Sequence, residues 1–299
     1  MHVLVSGSSG MVGSALLPAL GGAGYSVGRL VRGAAAAGGL DVSWDPIEGR
    51  IDAARLDGVD AVVHLAGENI AAGRWNAIRK EAIRRSRVDA TLHLCRAFAA
   101  LPRKPKILVS ASAVGFYGDR GDTLLTEDSE RGRGFLPAVC VAWESATEPA
   151  EAAGIRVVNL RFGVILSANG GALARMLLPF RLGLGGRIGS GRQYMPWLTL
   201  EDAVGIIRHA LASQDLHGPV NAVAPQPVTN AEFTRTLGGA LGRPTLFPMP
   251  AFAARLALGE MADALLLASA RVIPGRLKTG GYAFAHPELE PALRHLLER

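Results

Sequence analysis

His2-Val3-Leu4-Val5-Ser6-Gly7-Ser8-Ser9-Gly10-Met11-Val12-Gly13-Ser14 is the stretch that decides the fold of this 299-residue chain. Its first residues form an apolar run closed by a glycine, which reads as a short buried strand. Glycines then recur at every third position, and Ser14-Ala15-Leu16-Leu17 opens an amphipathic helix. A strand, a tight glycine turn and a helix start make a phosphate site. Backbone N–H groups at the turn and the positive end of the helix dipole face the same point. Gly7 makes the tight turn, Gly10 lets the backbone approach the phosphates, and Gly13 lets the helix close on the strand. The spacing is Gly-x-x-Gly-x-x-Gly rather than the commoner Gly-x-Gly-x-x-Gly. Its position between an apolar strand and a helix favours a nucleotide site over a structural turn.

Working outward, strand and helix patterns alternate. This predicts an α/β fold, a Rossmann-type doubly wound parallel sheet with helices on both faces, followed by a smaller mixed α/β C-terminal part. Strands are expected over 25–31, 42–44, 60–67 (running into a loop), 106–112, 155–161 and 219–223. One long helix is expected over 75–100, ended by Pro102, and another over 136–153, capped by Gly154. Residues 33–40 are Ala and Gly and read as a flexible loop. Past residue 163, glycine-rich loops alternate with shorter helices at 201–213 and 230–241. Pro244, Pro248 and Pro250 mark a linker to a tail with helical pieces around Pro274-Gly275 and at 289–297.

Composition bounds the function. Hydrophobic residues make up 49% of the chain, enough for a sizeable core and against global disorder. Cys95 and Cys140 offer neither a disulfide framework nor a metal spacing, so no metal is expected. Residues 1–6 already read as a strand, which leaves no signal peptide, and no apolar run reaches membrane-spanning length. A soluble cytoplasmic protein without membrane partners is the expectation, as monomer or homodimer. The net charge of +6 and a pI near 9.8 raise nucleic acid as a partner. The densest basic cluster, Arg74 to Arg87, has no interleaved aromatic ladder, so a solvated helix face or an anionic cofactor explains it better.

The end of the second predicted strand reads cofactor identity. A carboxylate there binds the adenosine ribose hydroxyls of NAD, whereas an arginine suits the 2′-phosphate of NADP. The chain has Arg29 and Arg32 and no acid before Asp41, which favours NADP. The division expected is an NADP-binding Rossmann domain over 1–165 completed by parts of 195–225. Substrate-side elements would follow over 166–243, with a small helical C-terminal domain over 244–299.

The order of motifs resembles the extended short-chain dehydrogenase/reductase superfamily. It rests on the glycine turn, Asp60-x-Val-Val-His-Leu-Ala-Gly67, Val109-Ser-Ala-Ser112 with Tyr117-Gly118, and Leu160-Arg-Phe-Gly163. More specifically the chain resembles the atypical NAD-dependent epimerase/dehydratase type with a C-terminal conserved domain of unknown function. Leu65-Ala-Gly-Glu-Asn-Ile70, Gly189-Ser-Gly-Arg-Gln193, Gly259-Glu-Met-Ala-Asp263 and Val272-Ile-Pro-Gly-Arg276 carry that likeness. The resemblance implies cofactor contacts at Gly7, Gly10, Met11, Val12 and Gly13 for the pyrophosphate and at Arg32 for the 2′-phosphate. It implies Leu65, Ala66 and Gly67 beside the adenosine and ribose, Glu81 and Arg87 facing the cofactor, and Gly163 and Val164 near the nicotinamide. From the residues alone, Leu65 and Val164 read equally as core, and Glu81 as an exposed partner of Arg85.

The superfamily's reductases and epimerases use a Ser or Thr, a Tyr acid/base, and a Lys four residues later that favours the phenolate. Ser112 fits the first position. The matching helix has no Tyr and no Lys. Val139 or Cys140 stands at the Tyr position and Trp143 or Glu144 at the Lys position. Tyr117 is the substitute acid/base expected first, with Cys140 and Glu144 behind it. Arg192, Gln193 and Trp197 are candidate substrate contacts, and His64 reads as a structural histidine in a buried strand. Two functions remain. One is an NADP(H)-dependent oxidoreductase or epimerase-like enzyme on an unknown small polar substrate, with a non-standard active site. The other is a catalytically silent NADP(H)-binding sensor or partner-binding module.

Overall fold

The computed structural model describes residues 1–36 and 38–298. Ala37, inside the loop predicted over 33–40, lies outside the described residues, as does Arg299 at the end of the predicted tail. An eight-stranded sheet runs, edge to edge, Gly218–Ala222, Arg156–Phe162, Ile107–Ala113, Ala61–His64, His2–Ser6, Ser26–Val31, Val42–Asp45 and Arg50–Ile51. All neighbours pair in parallel except the last hairpin. The chain steps outward from its first strand, then returns to place Ala61–His64 on the other side, with Ser6 opposite His64. This reversal opens a crevice at the C-terminal ends of the strands, where open α/β sheets bind ligands.

The apolar runs become strands because both sheet faces are buried, and successive side chains feed alternate layers. Val3, Val5, Val63, Val109 and Leu160 pack with Leu16 and Leu20 of the helix Met11–Gly22 and with Ile206 and Ile207 of Leu200–Ala212. Leu4, Val62, Leu108 and Val157 pack on the other face with Leu94 and Phe98 of Val88–Ala99 and Ala150 of Glu148–Ala152. A third core gathers Leu173, Leu177, Trp197, Phe233 and Leu237 with Leu289, Leu293 and Leu296 of the helix Leu289–Leu297. Among the described residues no helix is long and apolar enough to cross a membrane.

Two predicted helices are each divided. The stretch 75–100 forms Ala77–Arg85 and Val88–Ala99. The carbonyl of Ile83 takes the Ser86 hydroxyl at 3.1 Å and Arg87 Nη1 at 3.2 Å, and the Arg87 N–H turns to Arg84 instead. Side chains thus compete for the bond that would have continued the helix. The stretch 136–153 forms Phe135–Ser145 and Glu148–Ala152. Here the Thr147 hydroxyl takes the Glu144 carbonyl at 2.6 Å, and Pro149 has no N–H to continue the ladder. The tail is not helical throughout. Arg271–Val272 is a short strand pairing in parallel with Leu124–Leu125, and Leu277 is buried in the first core.

Candidate functional site

The glycine turn closes the crevice at one end. Gly7 has φ 67°, and a Cβ there would lie 2.7 Å from the Leu65 carbonyl carbon. A Cβ at Gly13 would lie 2.3 Å from the Gly7 carbonyl oxygen, so the helix rests on the turn itself. Gly10 N–H donates to the Gly7 carbonyl at 3.0 Å and starts the helix, whose first turn carries no acid. The turn is locked to the neighbouring strand by Ser6. Its Oγ accepts the N–H of Leu65 at 3.1 Å and of Ala66 at 3.3 Å, and meets His64 Nδ1 at 2.7 Å. With two donors on its oxygen, Ser6 gives its proton to Nδ1. His64 is then the Nε2–H tautomer and donates to Thr91 Oγ1 at 3.0 Å. Burial pulls the His64 pKa down to about 4, and the imidazole is neutral. Thr91 also accepts the Trp143 indole N–H at 3.0 Å.

From this turn a cavity of about 700 Å³ runs across the strand ends, past Ser112 and the Phe162–Val164 segment, to residues of the tail. Gly7, Gly10, Met11, Val12, Gly13, Leu65 and Arg87 line the first end. Trp75, Phe135, Leu136, Met176, Met195 and Leu266 give the far end a mainly apolar wall. The helix break at Ser86 turns Arg87 inward. Its guanidinium donates to the Glu68 carbonyl at 2.9 Å and lies 5.1 Å from the Trp143 ring centre, with Gly67 against it. Burial lowers the Arg87 pKa, with Cys140 and Glu68 opposing, and leaves the side chain a cation beside the cavity.

Ser112 sits in the middle of the wall, and its hydroxyl donates to Glu144 Oε1 at 2.6 Å. Glu144 is gripped by Arg161, with Nε at 2.8 Å from Oε1 and Nη2 at 2.7 Å from Oε2. Arg161 is only 4% exposed, projects from the strand Arg156–Phe162, and lies 3.5 Å from the Phe116 ring centre. Its third bond reaches the Tyr117 hydroxyl at 3.0 Å. Tyr117 is fully buried and also meets Asn221 Oδ1 at 2.7 Å and the Thr126 carbonyl at 2.9 Å. Burial pushes its phenol pKa up, and Arg161 offsets only part of that. Tyr117 does not line the cavity. The expected acid/base is therefore placed as an anchor behind the wall, because the Val114–Tyr117 turn points it into the core.

Other expected residues divide similarly. Gln193 lines the cavity, and its Nε2 donates to the Ile188 and Leu266 carbonyls at 2.9 and 3.0 Å. Gly163 and Val164 line it beside Ser112. Trp197 lies in the third core, Arg192 is exposed outside the cavity, and Glu81 faces solvent paired with Arg84 at 2.8 Å rather than with Arg85. These three are not brought to the cavity wall. Arg32 is exposed just past the second strand and has no ion pair among the described residues, while Arg29 is taken by Asp41. Ala66 and Gly67 flank the first end without lining the cavity. Cys140 lines it, and burial pushes its thiol up to about 12, which keeps it protonated. Sequence reasoning missed Arg161. A charged residue between Leu160 and Phe162 in a buried strand demands a buried partner, and Glu144 is the acid the facing helix offers.

A doubly wound sheet with a glycine turn at its switch point, and a Ser at the end of the central strand, defines a Rossmann protein of the short-chain dehydrogenase/reductase type. Residues 3–223 match the NAD dependent epimerase/dehydratase family, and residues 249–296 match a domain of unknown function, DUF1731. An epimerase family protein of Mycobacterium tuberculosis is 46% identical over 297 residues, 99% of this chain and 98% of that one. The epimerase family protein SDR39U1 of Homo sapiens is 39% identical over 301 residues, 99% of this chain and 100% of that one. A crystal structure of human SDR39U1 (isoform 2) with NADPH superposes with a TM-score of 0.92, at 38% identity, covering 100% of this chain and 99% of that one. The chain belongs to the NAD dependent epimerase/dehydratase family.

Proposed function

We propose that this protein binds NADP(H) along the cavity and transfers hydride between it and a hydroxyl-bearing carbon of a substrate. The residues fit the cofactor. Gly7, Gly10 and Gly13 carry no Cβ, which lets the turn pack on Leu65 and the helix start close on it at the cavity's edge, Arg87 offers a cation beside it, and Arg32 is free of ion pairs among the described residues to meet a 2′-phosphate. The NADPH in the human relative's structure supports the same choice. The bound cofactor would supply or accept the hydride. The observation that carries the reading is the direction of the Ser112 hydroxyl. Its one proton is given to Glu144, so toward the cavity Ser112 presents lone pairs and accepts from a substrate O–H. Arg161 holds the charge of Glu144, and Ser112 and Glu144 form a two-step path for that proton during oxidation. The apolar far wall supports a substrate with an apolar body behind its reacting hydroxyl, rather than the polar one expected from sequence.

Turnover of cofactor absorbance against a panel of alcohols with NADP+, and of their carbonyls with NADPH, tests this. Ser112→Ala is expected to lower kcat at least about 100-fold with NADPH affinity within about twofold. A wild-type protein that binds NADPH and oxidises or reduces nothing on either panel would return the silent-binder reading, which the missing Tyr-Lys pair favours.

A further inference from the structure

We propose a divalent zinc-type metal site, separate from the cavity, formed by Glu201, His286 and His295. The three ligand atoms all lie within 4.8 Å of one another. His286 Nε2 is 2.6 Å and His295 Nε2 3.1 Å from the same Glu201 Oε2, and the two imidazole centres are 4.4 Å apart. Ligands about 2.1 Å from a tetrahedral ion lie about 3.4 Å from each other. The two imidazole–carboxylate separations therefore need only a small outward shift to admit an ion. Two imidazoles converging on one carboxylate oxygen is a donor set that suits zinc, nickel or copper and not magnesium or calcium, which prefer oxygen alone.

The ligands come from firmly placed elements. Glu201 lies in the first turn of Leu200–Ala212, a helix capped by Thr199, whose Oγ1 accepts the Asp202 N–H at 3.0 Å. His295 lies on Leu289–Leu297, whose Leu289, Ala292, Leu293 and Leu296 are buried in the third core. His286 is held by its own backbone. Asp202, only 1% exposed, accepts the N–H of Ala285 at 2.8 Å and of His286 at 3.0 Å, and the Tyr282 hydroxyl at 3.1 Å. A buried carboxylate adjacent to Glu201 thus fixes the loop that delivers His286. Among the described residues three protein ligands meet at a partly exposed position, which leaves a fourth coordination position for a further ligand. None of the three lines the cavity, so the ion acts as a clip fastening the tail to the helix Leu200–Ala212.

The test uses the untagged full chain, stripped with chelator and titrated with zinc against a chromogenic competitor. One equivalent is expected per chain, with Tm rising by about 5 °C at a hundredfold excess over Kd. His286→Ala and His295→Ala are expected to weaken zinc uptake at least about 100-fold while NADPH binding and helical content stay at wild-type levels. His217→Ala, an exposed histidine elsewhere, leaves uptake unchanged. Failure of the wild-type chain to take up zinc overturns the site. Uptake that survives both variants, or displacement of zinc by millimolar magnesium, overturns it equally.

Discussion

The two ends of the cavity are built differently. The glycine end is backbone, with Gly7, Gly10 and Gly13 within one short stretch, fastened to the next strand through Ser6. Beyond it the wall is side chains, brought from the helix Phe135–Ser145, the strand Arg156–Phe162 and the tail, with one buried ion pair behind its middle at Ser112. A backbone cradle tolerates almost no added atom but leaves the rest of the fold alone. A wall braced by a buried ion pair accepts shape changes at its surface and fails when either charge is removed.

Four measurements can break or sharpen that contrast. The largest effect is expected at the side-chain wall. Glu144→Ala leaves Arg161 charged and uncompensated and should cost about 3–5 kcal/mol in urea unfolding. Replacing both partners by apolar residues should recover much of that loss; a single-variant cost below about 1 kcal/mol would show the pair to be dispensable. At the glycine end, Gly13→Val drives its side chain into the Gly7 carbonyl and should weaken NADPH binding more than about 100-fold, an effect of about 3 kcal/mol. Fluorescence titration reads it, and affinity within tenfold of wild type would mean that the turn adjusts.

The third measurement concerns the residue that ties the cradle to the wall beside it. His64 links Ser6 beside the turn, through Thr91, to Trp143 in the cavity wall next to Arg87. Its folded pKa of about 4 lies below the ordinary 6.5. The unfolded chain therefore binds the extra proton first. Its contribution is complete above pH 6.5 and is lost as pH falls toward 4, by roughly 3 kcal/mol in all. Unfolding free energies across that window should decline less steeply in His64→Gln; parallel curves would assign the acid sensitivity elsewhere. The smallest effect is at Arg32. Arg32→Ala should weaken NADPH about tenfold, or about 1.4 kcal/mol, and NADH hardly at all. Equal losses for both would remove the 2′-phosphate contact.

What could be read from the sequence follows the same division. The turn, the strands and the parallel doubly wound sheet were legible because their signals are local, in glycine spacing and apolar runs. The helix break at Ser86–Arg87 was not, because it depends on side chains reaching the Ile83 carbonyl and the distant Glu68. The position of Ser112 after the central strand is a local signal, but its capture by Glu144 needs two elements to meet. Tyr117 looked exposed to the pocket because it follows Ser112 closely, yet the turn between them rotates it into the core. Arg192 and Trp197 lie within a few residues of Gln193, and only backbone geometry decides which of the three faces the cavity.

The short pairing of Arg271–Val272 with Leu124–Leu125 bears on how the molecule is made. Leu266 and Ala270, which line the cavity, lie just before that strand, so part of the wall is synthesised long after the cradle it faces. On the ribosome the nucleotide cradle can fold while that side of the pocket is still inside the exit tunnel. Closing the pocket then waits on contacts that are distant in sequence, which are the slow ones to form. In a nascent chain the cradle is therefore complete before the wall that faces it.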